Sequence, residues 1–284
     1  MLIDTFPYFN ERELLELRIR LLYDHVDKFI ICEGDRTHKG DSKPLTCRDT
    51  IRELGLPEDK IQVVEVKLPS ADENPDPMSR DRLQRNAAAE FLQEGDVIIV
   101  SDCDEIVDPA ILKQYTELVY QMQDRLLRLP MVNLNARADL RAYTTEGDPV
   151  EWPGPYLCGT FHIKNWTLSE LRESATVREP EVEFTHTFSL VEGRETLGWH
   201  FTWMGGSARR LVKVGSFAHW KDDIGASSKL NTKEMHRFIQ EYTPSPGQFD
   251  MLGRQNVILQ PYDINELPDL IFKLPASKKF LFSN

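Results

Sequence analysis

The run Asp96-Val97-Ile98-Ile99-Val100-Ser101-Asp102-Cys103-Asp104-Glu105 restricts the fold more than any other stretch of the chain. Four consecutive β-branched apolar residues bounded by charge read as an interior strand of a parallel sheet, covered on both faces. In open α/β sheets the ligand lies in the crevice beyond the carboxyl ends of the strands, so Asp102 and Asp104 stand where chemistry is expected. One residue apart on an extended backbone, the two carboxylates cannot both turn inward. As hard oxygen ligands they can nevertheless share a divalent cation. A bare Asp-x-Asp could equally be a solvated acidic turn; the buried strand ahead of it favours the metal.

The segments before this strand alternate strand and helix. Leu2 to Phe6 reads as a strand ending at Pro7, and Asn10 is placed to cap a helix from Glu11 to Tyr23. Leu14, Leu15, Leu17, Leu21 and Leu22 form its apolar stripe, with Arg18 in the middle, where a guanidinium needs a carboxylate partner. Phe29 to Cys32 gives a second strand ending at Glu33. A helix from Thr46 to Leu54 and a strand from Ile61 to Val66 follow. The order βαβαβ predicts an α/β fold with a mainly parallel central sheet and right-handed crossovers. Leu68 to Pro77 is too rich in proline and charge for an element and reads as a surface loop. Helices are expected over about Ser79–Gln93 and from Asp108-Pro109 to Gln121, with a strand over Leu126–Leu134 broken by Pro130.

Beyond Asn135 the pattern is mixed. Cys158 to Ile163 reads as a strand, Ser169 to Ser174 as a short helix, and Val177 to Val191 as irregular or a hairpin. Gly198-Trp199-His200-Phe201-Thr202-Trp203-Met204-Gly205-Gly206 is an aromatic strand ending in a glycine pair. A helix from Ala208 to Phe217 precedes His219-Trp220, and an amphipathic helix runs from Asn231 to Tyr242.

Composition narrows the partners. The 284 residues suit one large α/β domain, and 40% hydrophobic with 28% charged residues is ordinary for a globular chain. The net charge of -12 argues against nucleic acid and anionic membranes, which both select basic surfaces. No apolar run approaches the ~20 residues of a membrane span. Met1-Leu2-Ile3-Asp4 enters the first strand without a charged and apolar leader, so a cytoplasmic setting is expected. Cys32, Cys47, Cys103 and Cys158 form no C-x-x-C pair, as befits reduced thiols. Asn165-Trp166-Thr167 matches a glycosylation acceptor pattern, which needs a secretory route to be used.

Several ordered fragments carry a family resemblance: Asp4-Thr5-Phe6 with Phe9-Asn10-Glu11, Glu33 followed by Thr37-His38-x-Gly40-x-x-Lys43, Gln84-Arg85-Asn86, and Ser101-Asp102-x-Asp104-Glu105. Gly198-Trp199-His200 and Ser216-Phe217-x-His219 complete the series. Together, from residue 2 to about 220, they resemble glycosyltransferase family 17, which includes the β-1,4-mannosyl-glycoprotein N-acetylglucosaminyltransferases. The resemblance implies a GT-A fold, a UDP-sugar donor, Mn2+ or Mg2+ held at Asp102-x-Asp104, and inversion at the anomeric carbon. On this reading residues 1–284 form a single domain, with a nucleotide-sugar-binding part (1–134), an acceptor-side part (135–230) and a C-terminal helical extension (231–284).

The chemistry of the reaction agrees. A departing nucleotide diphosphate gathers negative charge that a divalent ion can stabilise. Asp104 is the candidate direct metal ligand; Asp102 reaches the ribose or binds the metal through water, and Glu105 orients the loop. His219, ranked ahead of His200, is the candidate imidazole ligand. Lys213, with Arg209 and Arg210 on the same helix, is a candidate for the diphosphate, and Phe6, Asn10, Glu11, Glu33, Arg85 and Asn86 for the base and ribose. Trp152, Trp166, Trp199 and Trp203 offer flat faces for sugars. An inverting reaction needs a carboxylate base, for which Glu170, Asp222 and Asp223 are weak candidates. The family's animal members are membrane-anchored, whereas this chain begins at the first strand, so the expected acceptor is a glycan or glycolipid rather than a bisected N-glycan, with N-acetylglucosamine the default sugar. Two alternatives remain: a phosphatase of the haloacid-dehalogenase type, with Asp102 as nucleophile, and a non-catalytic nucleotide-sugar-binding module.

Overall fold

The computed structural model describes residues 1–122, 125–176, 184–186, 195–216, 232–251 and 256–283. In chain order the strands and helices begin β1 (Leu2–Tyr8), α1 (Arg12–Leu22), β2 (Lys28–Gly34), α2 (Cys47–Glu53), β3 (Ile61–Val66), α3 (Pro77–Asn86) and β4 (Val97–Val100). They continue with β5 (Glu105–Val107), α4 (Leu112–Gln121), β6 (Leu126–Arg128), β7 (Met131–Asn135), β8 (Leu140–Thr144), β9 (Glu151–Trp152), β10 (Tyr156–Gly159) and α5 (Leu168–Thr176). The last are β11 (Phe184–His186), β12 (Gly198–Thr202), α6 (Gly206–Ser216), α7 (Thr232–Glu241), β13 (Val257–Pro261), α8 (Leu270–Lys273) and α9 (Pro275–Leu281).

Two compact units emerge, and they do not follow the sequence boundaries at 134 and 230. The first comprises Met1–Met131 and takes back Pro153–Trp199; the second holds Val132–Trp152 and His200–Asn284.

The first unit is a seven-stranded sheet in the order β11-β6-β10-β4-β1-β2-β3. β1 runs parallel to both β2 and β4, and β2 parallel to β3, so the α/β reading with a mainly parallel central sheet holds. Val97 to Val100 are all fully buried, the environment their unbroken β-branched run demands. β10 joins β4 antiparallel, with Tyr156 opposite Val100, and so covers the edge that β4 would otherwise present. Helix α1 buries Leu14, Leu15, Leu17, Ile19 and Leu22 on one side. α3 starts earlier than the sequence suggested, because Asp76 accepts a hydrogen bond from the Met78 amide at 3.0 Å and Pro77 occupies the first turn. Past Asn86 it tightens into a 3-10 turn over Ala87–Phe91.

The proline-rich loop is a built element. Buried Arg80 donates from Nε to the His38 carbonyl at 2.6 Å and from Nη1 to the Asn74 carbonyl at 2.6 Å. Gly40 (φ 99°) lies so close that a Cβ there would meet the Ala71 amide nitrogen at 2.5 Å. The loops after β2 and β3 are thereby tied at the strands' carboxyl ends.

The break expected at Pro130 separates two strands, β6 and β7, because proline donates nothing to a ladder. Two expectations change. Cys158–Ile163 is not one strand: β10 ends at Gly159, and His162–Lys164 is a 3-10 turn. Residues 231–284 are not only helical, since β13 lies among them.

In the second unit β13 pairs antiparallel with β8 over Val257↔Thr144 to Pro261↔Leu140, and β8 pairs with β7 at Leu134↔Arg141. Trp203, Val214, Met235, Ile239 and Met251 form an apolar cluster. Ala136 (φ 65°) and Trp203 (φ 61°) hold left-handed conformations that side chains disfavour. Both carbonyls are fastened by fully buried Arg210, whose guanidinium donates to Trp203 O at 3.0 Å and Ala136 O at 3.1 Å. All four cysteines are buried and free. Among the described residues no helix is long and apolar enough to cross a membrane.

Candidate active site

The acid turn closes on itself immediately beyond β4. The Glu105 amide donates to the Asp102 carbonyl at 3.0 Å, and Glu105 Oε2 accepts from the Asp102 amide at 2.7 Å. This reciprocal pair forces Glu105 inward to begin β5, fully buried, while Asp102 and Asp104 remain half-exposed at the strand's mouth. The expectation that Glu105 orients the loop is met by these contacts.

Three arginines from three helices hold the turn. Arg18, in the middle of the α1 stripe, is fully buried and pairs with fully buried Asp4: Nε to Oδ2 at 2.8 Å and Nη2 to Oδ1 at 2.5 Å. Its remaining donors reach Ser101 Oγ, the Asp102 carbonyl at 2.7 Å and the Glu105 carbonyl at 2.8 Å. Arg85, in the last turn of α3, donates to Asp102 Oδ1 at 2.7 Å and to the Ser101 carbonyl at 3.2 Å. Arg172 of α5 donates through Nη2 to Asp102 Oδ2 at 3.1 Å and to Glu105 Oε1. Each oxygen of Asp102 therefore faces a different guanidinium.

Burial would lower the pKa of Arg85, yet Asp102 and Asp81 nearby raise it overall. Arg172 behaves alike: burial opposes its charge, and Glu105 with Asp102 outweighs burial. Glu105 is pushed up from the ordinary glutamate value, first by burial, with Arg172 pulling the other way.

Several nucleotide candidates turn out to be committed to the fold. Phe6 is buried beneath Arg18, whose guanidinium carbon lies 4.2 Å from the ring centroid. Glu33 receives the Thr46 amide at 2.8 Å, the Cys47 amide at 2.9 Å and Lys43 Nζ at 3.1 Å, so its carboxylate caps α2 from a neighbouring strand. Glu11 accepts from the amides of Phe9 and Asn10 at 2.9 and 3.0 Å. Asn86 Oδ1 receives the amide and hydroxyl of Ser169 at 2.9 and 2.6 Å, docking α5 on α3. Asn10 is half-buried at the carboxyl end of β1. Glu170 sits in a capping box: its Oε2 accepts from the Thr167 amide and hydroxyl at 2.7 and 2.8 Å, which holds its carboxyl below the usual range.

His200 and Lys213 belong to the second unit. The His200 ring stacks on Trp152 with centroids 4.5 Å apart, and Lys213 Nζ stands 5.2 Å above the Trp203 ring. Trp199 and Trp203 are buried; Trp166 packs against the core of the first unit. His219, Asp222 and Asp223 lie outside the described residues.

Of the predicted donor-site residues, the first unit brings Asp102, Asp104 and Arg85 together. Sequence reasoning missed Arg172, whose partners are 67 and 70 residues away. Its only local signal is its place in the short helix after Thr167.

These residues suit a small divalent ion that completes its shell with water and substrate oxygens. Such an ion takes one or two carboxylates rather than a protein cage. Asp104 supplies a half-exposed carboxylate, while Asp102, with a guanidinium on each oxygen, is suited to a water or a hydroxyl. Among the described residues no group of three or more His, Cys, Asp or Glu converges on one point.

Residues 1–126 match the family model described as Glycosyltransferase family 17. No curated protein matches the sequence. Similar solved structures include S. aureus TarS, at 10% identity and TM-score 0.40 over 84% of this chain and 78% of that one. They also include a 4-diphosphocytidyl-2C-methyl-D-erythritol synthase, at 13% identity and TM-score 0.36 over 65% and 89%. A third is a mannose-6-phosphate isomerase from Helicobacter pylori, at 11% identity and TM-score 0.36 over 61% and 75%.

Proposed function

We propose, from the match of residues 1–126 to the Glycosyltransferase family 17 model and the acid turn beyond β4, that this chain transfers a sugar from a UDP-sugar to a glycan or glycolipid with inversion, assisted by Mn2+ or Mg2+. N-acetylglucosamine is the default sugar. The observation that carries this reading is the acid turn: carboxylates at the mouth of a buried central strand, oriented by buried arginines. Asp104 is the direct ligand of the ion, and Asp102 acts through water or on the ribose. When bound, the ion supplies Lewis-acid stabilisation of the departing diphosphate.

The chain's own residues contribute orientation. Arg85 and Arg172 fix the Asp102 carboxylate, and Arg18 fixes the backbone of the turn through the carbonyls of Asp102 and Glu105. Holding a charged group in one geometry before substrate arrives spares that reorganisation during reaction. Asn10, at the end of β1, is on the side expected to meet the nucleoside, with Glu11 holding its backbone. The Trp152–His200 stack is a candidate sugar platform on the acceptor side. Among the described residues Glu170 is tied to its helix cap, which disfavours it as the base.

The phosphatase alternative loses ground on geometry. A nucleophilic aspartate needs a carboxylate oxygen aimed at phosphorus, and both oxygens of Asp102 face guanidinium groups. The test is UDP release from a panel of UDP-sugars with Mn2+, read against Asp104→Asn. The expected result is metal-dependent release that falls at least a hundredfold in the variant. Saturable UDP binding without release would make the protein a binding module, and undiminished release by the variant would overturn the assignment of Asp104.

A further inference from the structure

Arg18 and Arg210 show how this fold uses an arginine for support. Each is fully buried and ties down backbone carbonyls: Arg18, besides its pair with Asp4, holds those of Asp102 and Glu105 through Nη1, and Arg210 holds those of Trp203 and Ala136. Arg172 is used differently. It is nine-tenths buried, and among the described residues it donates to no backbone carbonyl and its Nη1 has no hydrogen-bond partner. Burying a cation is costly unless it is paired, and the whole compensation passes through Nη2, which bridges Asp102 Oδ2 and Glu105 Oε1. Among the described residues the guanidinium is directed at two carboxylates of the acid turn and at nothing else that would secure a helix.

The helix carrying Arg172 is secured by other means. α5 is docked on α3 by Ser169 on Asn86 and by the exposed Arg82–Glu173 pair, with Nε to Oε1 at 2.6 Å. The capping box of Thr167 and Glu170 closes its first turn. Arg172 can therefore be removed while these contacts persist.

We propose that Arg172 is a positioning residue of the acid turn: by bridging Asp102 and Glu105 it fixes the direction of the Asp102 carboxylate beside the nucleotide-sugar and metal site. The inference deepens the glycosyltransferase reading in its substrate aspect. It assigns a working role to a residue beyond the part of the chain that matches the family, since residue 172 lies outside 1–126. Without Arg172, Asp102 keeps the Arg85 bond on Oδ1 but loses the guanidinium on Oδ2, and the buried Glu105 side chain keeps the Asp102 amide but loses the Nη2 donor. The turn then has two carboxylates in one place with one guanidinium fewer to hold them apart.

The test uses the full chain with Arg172→Gln, Arg172→Lys and, as a control on helix docking, Arg82→Ala. Two readouts are taken. The first needs no ligand: the rate at which iodoacetamide labels Cys103, the buried residue inside the turn, followed by peptide mass. Arg172→Gln is expected to raise that rate at least tenfold, while Arg82→Ala leaves it within twofold. The second is Mn2+-dependent binding of UDP by calorimetry. Arg172→Gln is expected to weaken it at least tenfold. Arg172→Lys stays within about threefold, because a single ammonium nitrogen can replace the single bridging Nη2.

Unchanged Cys103 labelling in Arg172→Gln overturns the inference. So does loss of UDP affinity that is equal in Arg172→Gln and Arg82→Ala, which would mark a merely structural contact. If the unaltered protein binds no UDP with Mn2+, the glycosyltransferase reading of the site fails. The labelling comparison then still decides whether Arg172 sets the turn. Should Arg172→Gln fail to fold, Arg172→Lys takes its place: wild-type labelling supports the bridge, and labelling raised tenfold in a folded lysine variant overturns it.

Discussion

Replacing Arg18 with methionine gives a sharp measure of what holds the acid turn. The guanidinium is fully buried and makes five hydrogen bonds, to both oxygens of Asp4, to Ser101 Oγ, and to the carbonyls of Asp102 and Glu105. Methionine fills a similar volume but leaves the carboxylate of Asp4 buried without its cation. Breaking a buried pair from one side costs about 3–5 kcal/mol. Each 1.36 kcal/mol being tenfold, the folding equilibrium should fall by roughly two to three and a half powers of ten. At about 2–4 °C per kcal/mol for a chain of this size, the midpoint should drop by about 6–20 °C. Urea denaturation and thermal melts followed by circular dichroism read both quantities.

The double variant Arg18→Met/Asp4→Leu removes the stranded charge and should recover about 0.5–3 kcal/mol of the loss through the coupling between the two sites. Recovery stays incomplete, because the bonds that Arg18 Nη1 made to the carbonyls of Asp102 and Glu105 are not replaced. Strictly additive losses, or a single variant within 1 kcal/mol of wild type, would refute the claim that this ion pair organises the turn.

Three other tests are simpler. Thr167→Ala removes half of the capping box and should cost about 0.5–2 kcal/mol of stability. Because the Glu170 carboxyl is held low in the fold, the contribution of the box is present above the ordinary glutamate range and fades as pH falls through the lowered folded value. Glu170→Gln should therefore flatten the acid limb of the stability profile while leaving sugar transfer within twofold; a hundredfold loss of transfer would restore Glu170 as the base. Burial pushes the Cys32 thiol up to about 12 and raises Cys47, Cys103 and Cys158 as well. At pH 8 native alkylation should run roughly a thousandfold slower than in denaturant, where all four react. Intact-mass spectra showing rapid native labelling would contradict the packing described.

The acid turn was legible because its signals are local: four β-branched residues, then charge, in one unbroken run. Arg18 was legible for the same reason, since helical periodicity alone puts a charge in an apolar stripe and so demands a partner. Glu33 was placed correctly at a strand end, but its role as a helix cap was not foreseen. Its partners, Thr46 and Cys47, follow 13 and 14 residues later, and only the folded register makes a strand carboxylate into a helix cap. Arg172 was invisible for a stronger reason: sequence pattern reports neighbours within a turn or two, and its partners come from another helix–strand unit. The division of Leu126–Leu134 into strands was readable from Pro130, whereas β8 and β13, short and half-exposed, lacked a run long enough to stand out.

The return of Pro153–Trp199 to the first unit has a consequence for biosynthesis. When a ribosome has delivered the portion that resembles the family, β4 still has an open flank, because its neighbour β10 has not been made. Naked strand flanks invite pairing with other chains, and amino-terminal segments emerge first at only some residues per second. A protein expressed as residues 1–126 should therefore clump rather than mature, and the nascent chain must keep that flank sheltered until β10 (Tyr156–Gly159) has emerged as well.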